Sequence, residues 1–151
     1  MQEPKNLKYL LFGGTFILAN KLQFVGDKMV NVLTTKQWFL LLNILDLSKE
    51  GVPTVTSLAS AMDTSRQNIA KMLESMEKTG LVEVVTSVAD KRVRQVSMTP
   101  FGMSQVKIAE NEAQYFLREV FSGLSEDELA LGSKVMLKMM ENLEQLKGNF
   151  K

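Results

Sequence analysis

Apolar residues fall at helical spacing along most of this chain and switch to strand-like alternation in one short stretch. From about Asn6 to Val30 the residues read as one long helix that contains the pair Gly13-Gly14. Glycine costs a helix interior about 1 kcal/mol per residue, so the pair predicts a close helix approach or a kink. Trp38, Leu41, Leu42 and Leu45 place a second amphipathic helix that ends near Leu47. Gly51-Val52-Pro53 breaks the chain, Thr54-Val55 predicts a short strand, and Thr56 to Met62 a brief helix with Leu58, Ala59 and Met62 inward. Ile69, Met72, Leu73 and Met76 then repeat at i, i+3, i+4, i+7. Beyond Gly80, Leu81 to Thr86 and Arg94 to Thr99 read as extended segments around a polar tip, Ser87 to Val93. Two long helices follow, from Thr99-Pro100 to about Phe121 and from Ser125 to about Leu146. Leu129, Met136, Met139, Met140 and Leu143 form a stripe along the last. The fold class is mainly α with a small β element (α+β).

Helix starts are marked as well. Thr34 with Gln37, Thr64 with Gln67 and Ser125 with Glu128 all have the spacing of a capping box, in which side chain and backbone satisfy each other's free donors. The order short helix, tight turn, second helix, two-stranded hairpin is that of a winged helix-turn-helix lobe. Such a lobe packs one face of its second helix inward and presents the opposite face to the major groove of DNA. Ser65, Arg66, Gln67, Asn68 and Lys71, in the N-terminal part of that helix, are the expected contacts. Arg66 can bond guanine, and Gln67 or Asn68 can bond adenine. Glu74, further along, would repel phosphate unless held off the DNA. A polar helix face alone is an ordinary solvated face, but Asp90-Lys91-Arg92-Val93-Arg94 places three cations at a turn that needs none to fold. Arg92 and Arg94 are therefore added to the DNA contacts, since a cationic tip can enter the minor groove. Asp90 is suited to hold the tip, or is simply a turn former.

Composition removes whole classes of chemistry. With no cysteine and no histidine in 151 residues, thiol nucleophiles, disulfides, thiolate zinc sites and imidazole bases are absent, and no metal or cofactor is expected. The densest acidic group, Glu126-Asp127-Glu128, sits where a helix dipole favours carboxylates, so an enzyme is not the reading. The net charge of +1 gives no bulk signal for nucleic acid. The apolar run Tyr9 to Ala19, after Lys5 and Lys8, looks like the core of a signal peptide. It is shorter than the about 20 residues that span a bilayer, and Ile17 stands where a cleavage site wants a small residue. A buried helix in a cytoplasmic protein, with no membrane partner, is favoured.

Gln37-Trp38 before a leucine-rich helix, Leu58-Ala59, Gly80-Leu81-Val82, Asp90-x-Arg92, Val96-x-Met98-Thr99 and Gly102 together resemble the pattern of the MarR family of transcriptional regulators. The resemblance covers nearly the whole chain. It implies a homodimer with interlocked terminal helices, two lobes that read a near-palindromic operator, an arginine matching Arg92 in the minor groove, and in many members repression relieved by small aromatic ligands. Val84 and Ser75 stand where relatives often carry arginine, which removes two potential phosphate contacts.

These readings assign residues 1–151 to a single domain, with the DNA-binding lobe at about 33–99 and dimerisation helices at about 5–30 and 100–148. Apolar stripes larger than a small lobe can cover favour self-association; the alternative is that the terminal helices pack on each other. Phe12, Phe16 and Trp38 could line a pocket for a small aromatic or apolar ligand, or belong to the core. Two function classes stay open: a sequence-specific DNA-binding regulator, or a winged-helix protein-interaction module or anti-regulator with little DNA affinity, which the near-neutral charge would suit.

Overall fold

A computed structural model describes residues 6–150. Six helices and one hairpin follow in the order α1 (Leu7–Met29), α2 (Thr35–Leu47), α3 (Val55–Ala61), α4 (Arg66–Lys78), β1 (Val82–Thr86), β2 (Arg94–Met98), α5 (Pro100–Val120) and α6 (Glu126–Gly148). Lys5, where the first dimerisation helix was expected to begin, lies outside the described residues. The chain divides into two compact units between Phe116 and Leu117.

In the first unit, Leu40, Leu41 and Ile44 of α2, Leu58 of α3, Ile69, Leu73 and Met76 of α4, Val96 of β2 and Val106 of α5 are fully buried in one core. At about 25 cal/mol per Å2 of apolar surface removed from water, each such side chain contributes roughly 1.5–3 kcal/mol. Met72, expected inward with them, is half-buried at the core's margin. The expected strand at Thr54-Val55 shrinks to a single bridge, Thr54 to Gln95, beside a bond from the Val96 N–H to the Pro53 carbonyl at 2.8 Å. Thr54 is needed elsewhere: its hydroxyl accepts from the Ser57 N–H at 3.0 Å and the Ser57 hydroxyl accepts from the Thr54 N–H at 2.8 Å. That box starts α3 one residue earlier than expected, at Val55.

The hairpin is antiparallel, with Val82 opposite Met98 and Thr86 opposite Arg94. Its junction with α4 and α5 is close. Gly80, at φ +76°, lets the chain leave α4, and the Leu81 N–H reaches back to the Met76 carbonyl while the Gly80 N–H reaches that of Glu77. These are the two bonds of a Schellman stop. Thr99 then donates its hydroxyl to the Gly80 carbonyl and its N–H to that of Leu81, and accepts from the Gly102 N–H at 2.9 Å. It thereby caps α5, with Pro100 as the first helical residue. A Cβ on Gly102 would lie 2.0 Å from the Leu81 carbonyl oxygen.

The long helix α1 differs from expectation. Gly26 is its only fully buried residue, and it is seated against Thr35, whose N–H donates to Asp27 at 2.6 Å. The helix runs without interruption through Gly13-Gly14, and among the described residues nothing lies within 4 Å of a Cβ added to either, so the expected close approach is not made there. Leu10, Phe12, Phe16, Ile17 and Phe24 are exposed. Between α1 and α2, the Glu112 carboxylate of α5 accepts from the Asn31 N–H at 2.8 Å and from its side-chain amide at 3.2 Å.

In the second unit, Gly123 at φ +80° makes the turn. Ser125 and Glu128 form the expected capping box. The helix α6 that follows has no fully buried residue, and its Leu131, Met136, Leu137, Met140 and Leu143 are exposed.

Two outcomes test this account. Replacing Gly102 by alanine forces backbone apart at the wing junction and is expected to cost about 3 kcal/mol, read as a fall in the denaturation midpoint; unchanged stability would show that the junction gives way freely. The Asn31 bonds hold the Glu112 carboxyl below its ordinary value. A lowered folded-state pKa adds stability that is complete above the unfolded value and lost as pH falls through the folded one. Glu112→Gln is therefore expected to flatten the acid limb of the stability profile below about pH 4.5, and an unchanged acid limb would remove Glu112 from that role.

Candidate nucleic-acid interface

The turn into α4 decides which side chains the helix presents. Asp63 sits at φ +47°, the Thr64 N–H donates to the Ala59 carbonyl and the Asp63 N–H to that of Ser60, so α3 also ends in a Schellman stop, with aspartate in the usual glycine place. Asparagine and aspartate accept this left-handed conformation more readily than other side chains. The helix start then falls one residue later than the capping-box spacing predicts. Ser65, and not Thr64, is the N-cap, accepting from the Asn68 N–H at 3.1 Å, while Thr64 accepts from the Asn68 side-chain amide at 2.9 Å. Gln67 is thus released from the reciprocal bond expected of it.

Ser65, Arg66, Gln67, Asn68 and Lys71 are all exposed, with Gln67 and Lys71 opposite the buried face of Ile69, Leu73 and Met76. Asn68 already commits one amide hydrogen to Thr64, which fixes its rotamer. The wing carries the other expected cations in two different ways. Arg92 is exposed at the tip, where its N–H donates to the Asp90 carboxylate at 2.9 Å and the Val93 N–H donates to the Asp90 carbonyl at 2.9 Å. Asp90 therefore pins the tip through backbone. Arg94 stands where the second strand leaves the tip loop, opposite Thr86, and lines a notch of about 400 Å3 with Gln67, Ala70, Lys71, Glu74 and Glu77.

Sequence reasoning missed several parts of this surface. Lys36, at the start of α2, joins Lys71 and Asn68 around a groove of about 660 Å3 floored by Phe39, Met62 and Met72; no spacing rule relates residues so far apart in sequence. Glu74 bonds the Lys78 ammonium at 2.9 Å. That hydrogen bond and charge, with a smaller contribution from Arg94, hold its carboxyl below the usual range. Glu77 accepts from the Val84 N–H at 3.1 Å, joining the recognition helix to the free edge of β1.

The aromatic residues proposed for a ligand site are not gathered by the described chain. Phe12 and Phe16 pack edge to face, 5.4 Å between centroids, and are 63% and 62% exposed on α1. Trp38 packs against the core with its indole nitrogen buried and unpartnered. Phe16 lies ten residues, about 15 Å of helix, from the Gly26 contact with α2.

Residues 33–93 match the model of the MarR family. The transcriptional activatory protein BadR of Rhodopseudomonas palustris is 30% identical over 139 residues, which cover 90% of this chain and 79% of that protein. The chain belongs to the MarR family of transcriptional regulators. A Bacillus subtilis HTH-type regulator, YsmB, is 25% identical over 63% of this chain and 65% of its own. The fold agrees with an organohalide-sensing RdhR regulator bound to a dichlorophenol, at a TM-score of 0.80 and 16% identity over 94% of this chain and 87% of that one. It agrees also with a mutant E. coli MarR in complex with operator DNA, at 0.76 and 19% identity over 91% and 99%. Its relatives are transcription regulators and not enzymes. Among the described residues no helix is long and apolar enough to cross a membrane.

The shifted cap can be measured directly. Ser65→Ala is expected to cost about 1 kcal/mol of stability and Thr64→Ala markedly less; the reverse order in thermal denaturation would restore the helix start to Thr64.

Proposed function

We propose that this regulator is sequence-specific and reads a near-palindromic operator as a homodimer, with residues of about 33–99 forming the DNA-binding lobe and the helices at about 5–30 and 100–148 joining two copies. The observation that carries the reading is the exposed face Ser65 to Lys71 beside a wing whose Arg92 projects from a tip pinned by Asp90. In this reading Arg66, Gln67, Asn68 and Lys71 enter the major groove, Arg92 reaches the minor groove, and Arg94 supports the approach from the strand behind the tip. Duplex binding is the property that separates this regulator from a winged-helix interaction module.

Dimerisation is supported by the exposed apolar residues of α1 and α6, which a stable solution species would cover. Two copies related by a two-fold axis would match operator half-sites related by the same symmetry. Repression by occlusion of a promoter is the proposed outcome, although the relative BadR is named an activator; the place of the operator relative to the promoter sets the sign. Release by a small aromatic ligand is supported by the dichlorophenol-bound RdhR structure and by a Staphylococcus aureus MarR structure with salicylate. Phe12, Phe16 and Trp38 line such a site only if a partner copy or another element joins them. The protein is read as cytoplasmic and needs no cofactor.

Arg92→Ala and Lys71→Ala are each expected to weaken operator binding by about tenfold or more, measured by fluorescence anisotropy at fixed salt. Lys71→Ala should also reduce the salt slope by up to about 1 if it contacts phosphate. Unchanged affinity in both variants would sink the contact assignment, and recovery of a protein partner with no duplex binding at low salt would favour the interaction module.

A further inference from the structure

We infer that Glu74 is a specificity-determining residue, an electrostatic gate on the DNA-reading face that penalises phosphate and accepts a base-edge amino group. The inference rests on the DNA-binding reading above. Glu74 lies on the exposed face of α4 one turn beyond Lys71, which follows Gln67 by one turn, so it travels into the groove with the contacts that precede it. It lines the notch between α4 and the second wing strand together with Gln67, Lys71 and Arg94, and its carboxylate is held by Lys78 at 2.9 Å.

Two cations on this surface therefore stand beside carboxylates. Lys78 is drawn back along the helix by Glu74, and Arg94 shares a notch with Glu74 and Glu77. Neither cation is as available to a loosely docked phosphate backbone as Arg66 or Arg92. When the helix is not seated, a phosphate that nears the notch meets a carboxylate, and non-specific binding, which is almost wholly electrostatic, is reduced. When the helix is seated, a carboxylate over base edges is satisfied by the amino group of cytosine, its ordinary partner in the major groove. One side chain thus lowers affinity for the wrong DNA and favours one base in the right site. A surface ion pair with no such role would leave the ratio of specific to non-specific binding where it is.

The test compares the wild-type protein, Glu74→Gln and, as a control of equal charge change in the turn after α2, Glu50→Gln. Each is used to select sites from a random-sequence duplex library, and each is titrated against the wild-type selected site and against a random duplex of equal length. Glu74→Gln is expected to bind random duplex about threefold tighter at low salt, with a steeper salt slope. It should lose cytosine preference at one position of each half-site and show a specificity ratio about tenfold lower. Glu50→Gln should change none of these. The inference is overturned if Glu50→Gln reproduces the effect, if the specificity ratio of Glu74→Gln is unchanged, or if that variant binds random duplex more weakly. A wild-type protein that enriches no sequence at all overturns the DNA-binding reading itself, and this inference with it.

Discussion

The surface proposed to read DNA depends on one crowded junction, where the backbone of α5 passes the end of α4 with no room for a side chain. Gly102 meets the Leu81 carbonyl at a distance that excludes a methyl group, and Thr99 ties three segments at that point through its hydroxyl and its N–H. Because Leu81 begins the wing and Gly80 ends the recognition helix, their mutual angle is set here. The exposed face of α4 and the tip carrying Arg92 are consequences of a fixed angle and not of independent loops. Orientation of this kind is what groove recognition requires, since a misplaced contact loses its partner base and leaves a polar group unpaired.

Much of this was legible along the chain because it is encoded locally. Helical periodicity located all six helices to within a residue or two, and alternation at Arg94 to Met98 located the hairpin. The capping boxes at Thr34 and Ser125 appear as their spacing implies, and Asp90 bonds the tip backbone. The errors share a cause. At Thr64 and Ser65 two adjacent hydroxyls compete for one cap, and the choice follows from the left-handed turn at Asp63, a non-local consequence of how α3 stops. At Thr54 the third residue of the box is Ser57, which does the work usually assigned to glutamate or glutamine.

What spacing could not supply was assembly across elements. Lys36 joins Lys71 only because α2 and α4 line the same groove, and Glu77 meets Val84 only once the wing has folded back. The aromatic residues of α1 were grouped with Trp38 by type, yet they occupy separate stretches of the chain. The glycine pair in α1 is the converse case: its cost to the helix is intrinsic, and among the described residues no close contact at either added Cβ offsets it.

The bond from the Val84 N–H to Glu77 carries a further consequence. A two-stranded ribbon exposes a row of unpaired backbone groups, onto which a strand from another molecule can add. Here the donor at the middle of that row is occupied by a carboxylate from the neighbouring helix, so an incoming strand would have to displace it and accept its negative charge beside the new ladder. The helix proposed to face DNA thus also guards its own hairpin against edge-to-edge aggregation.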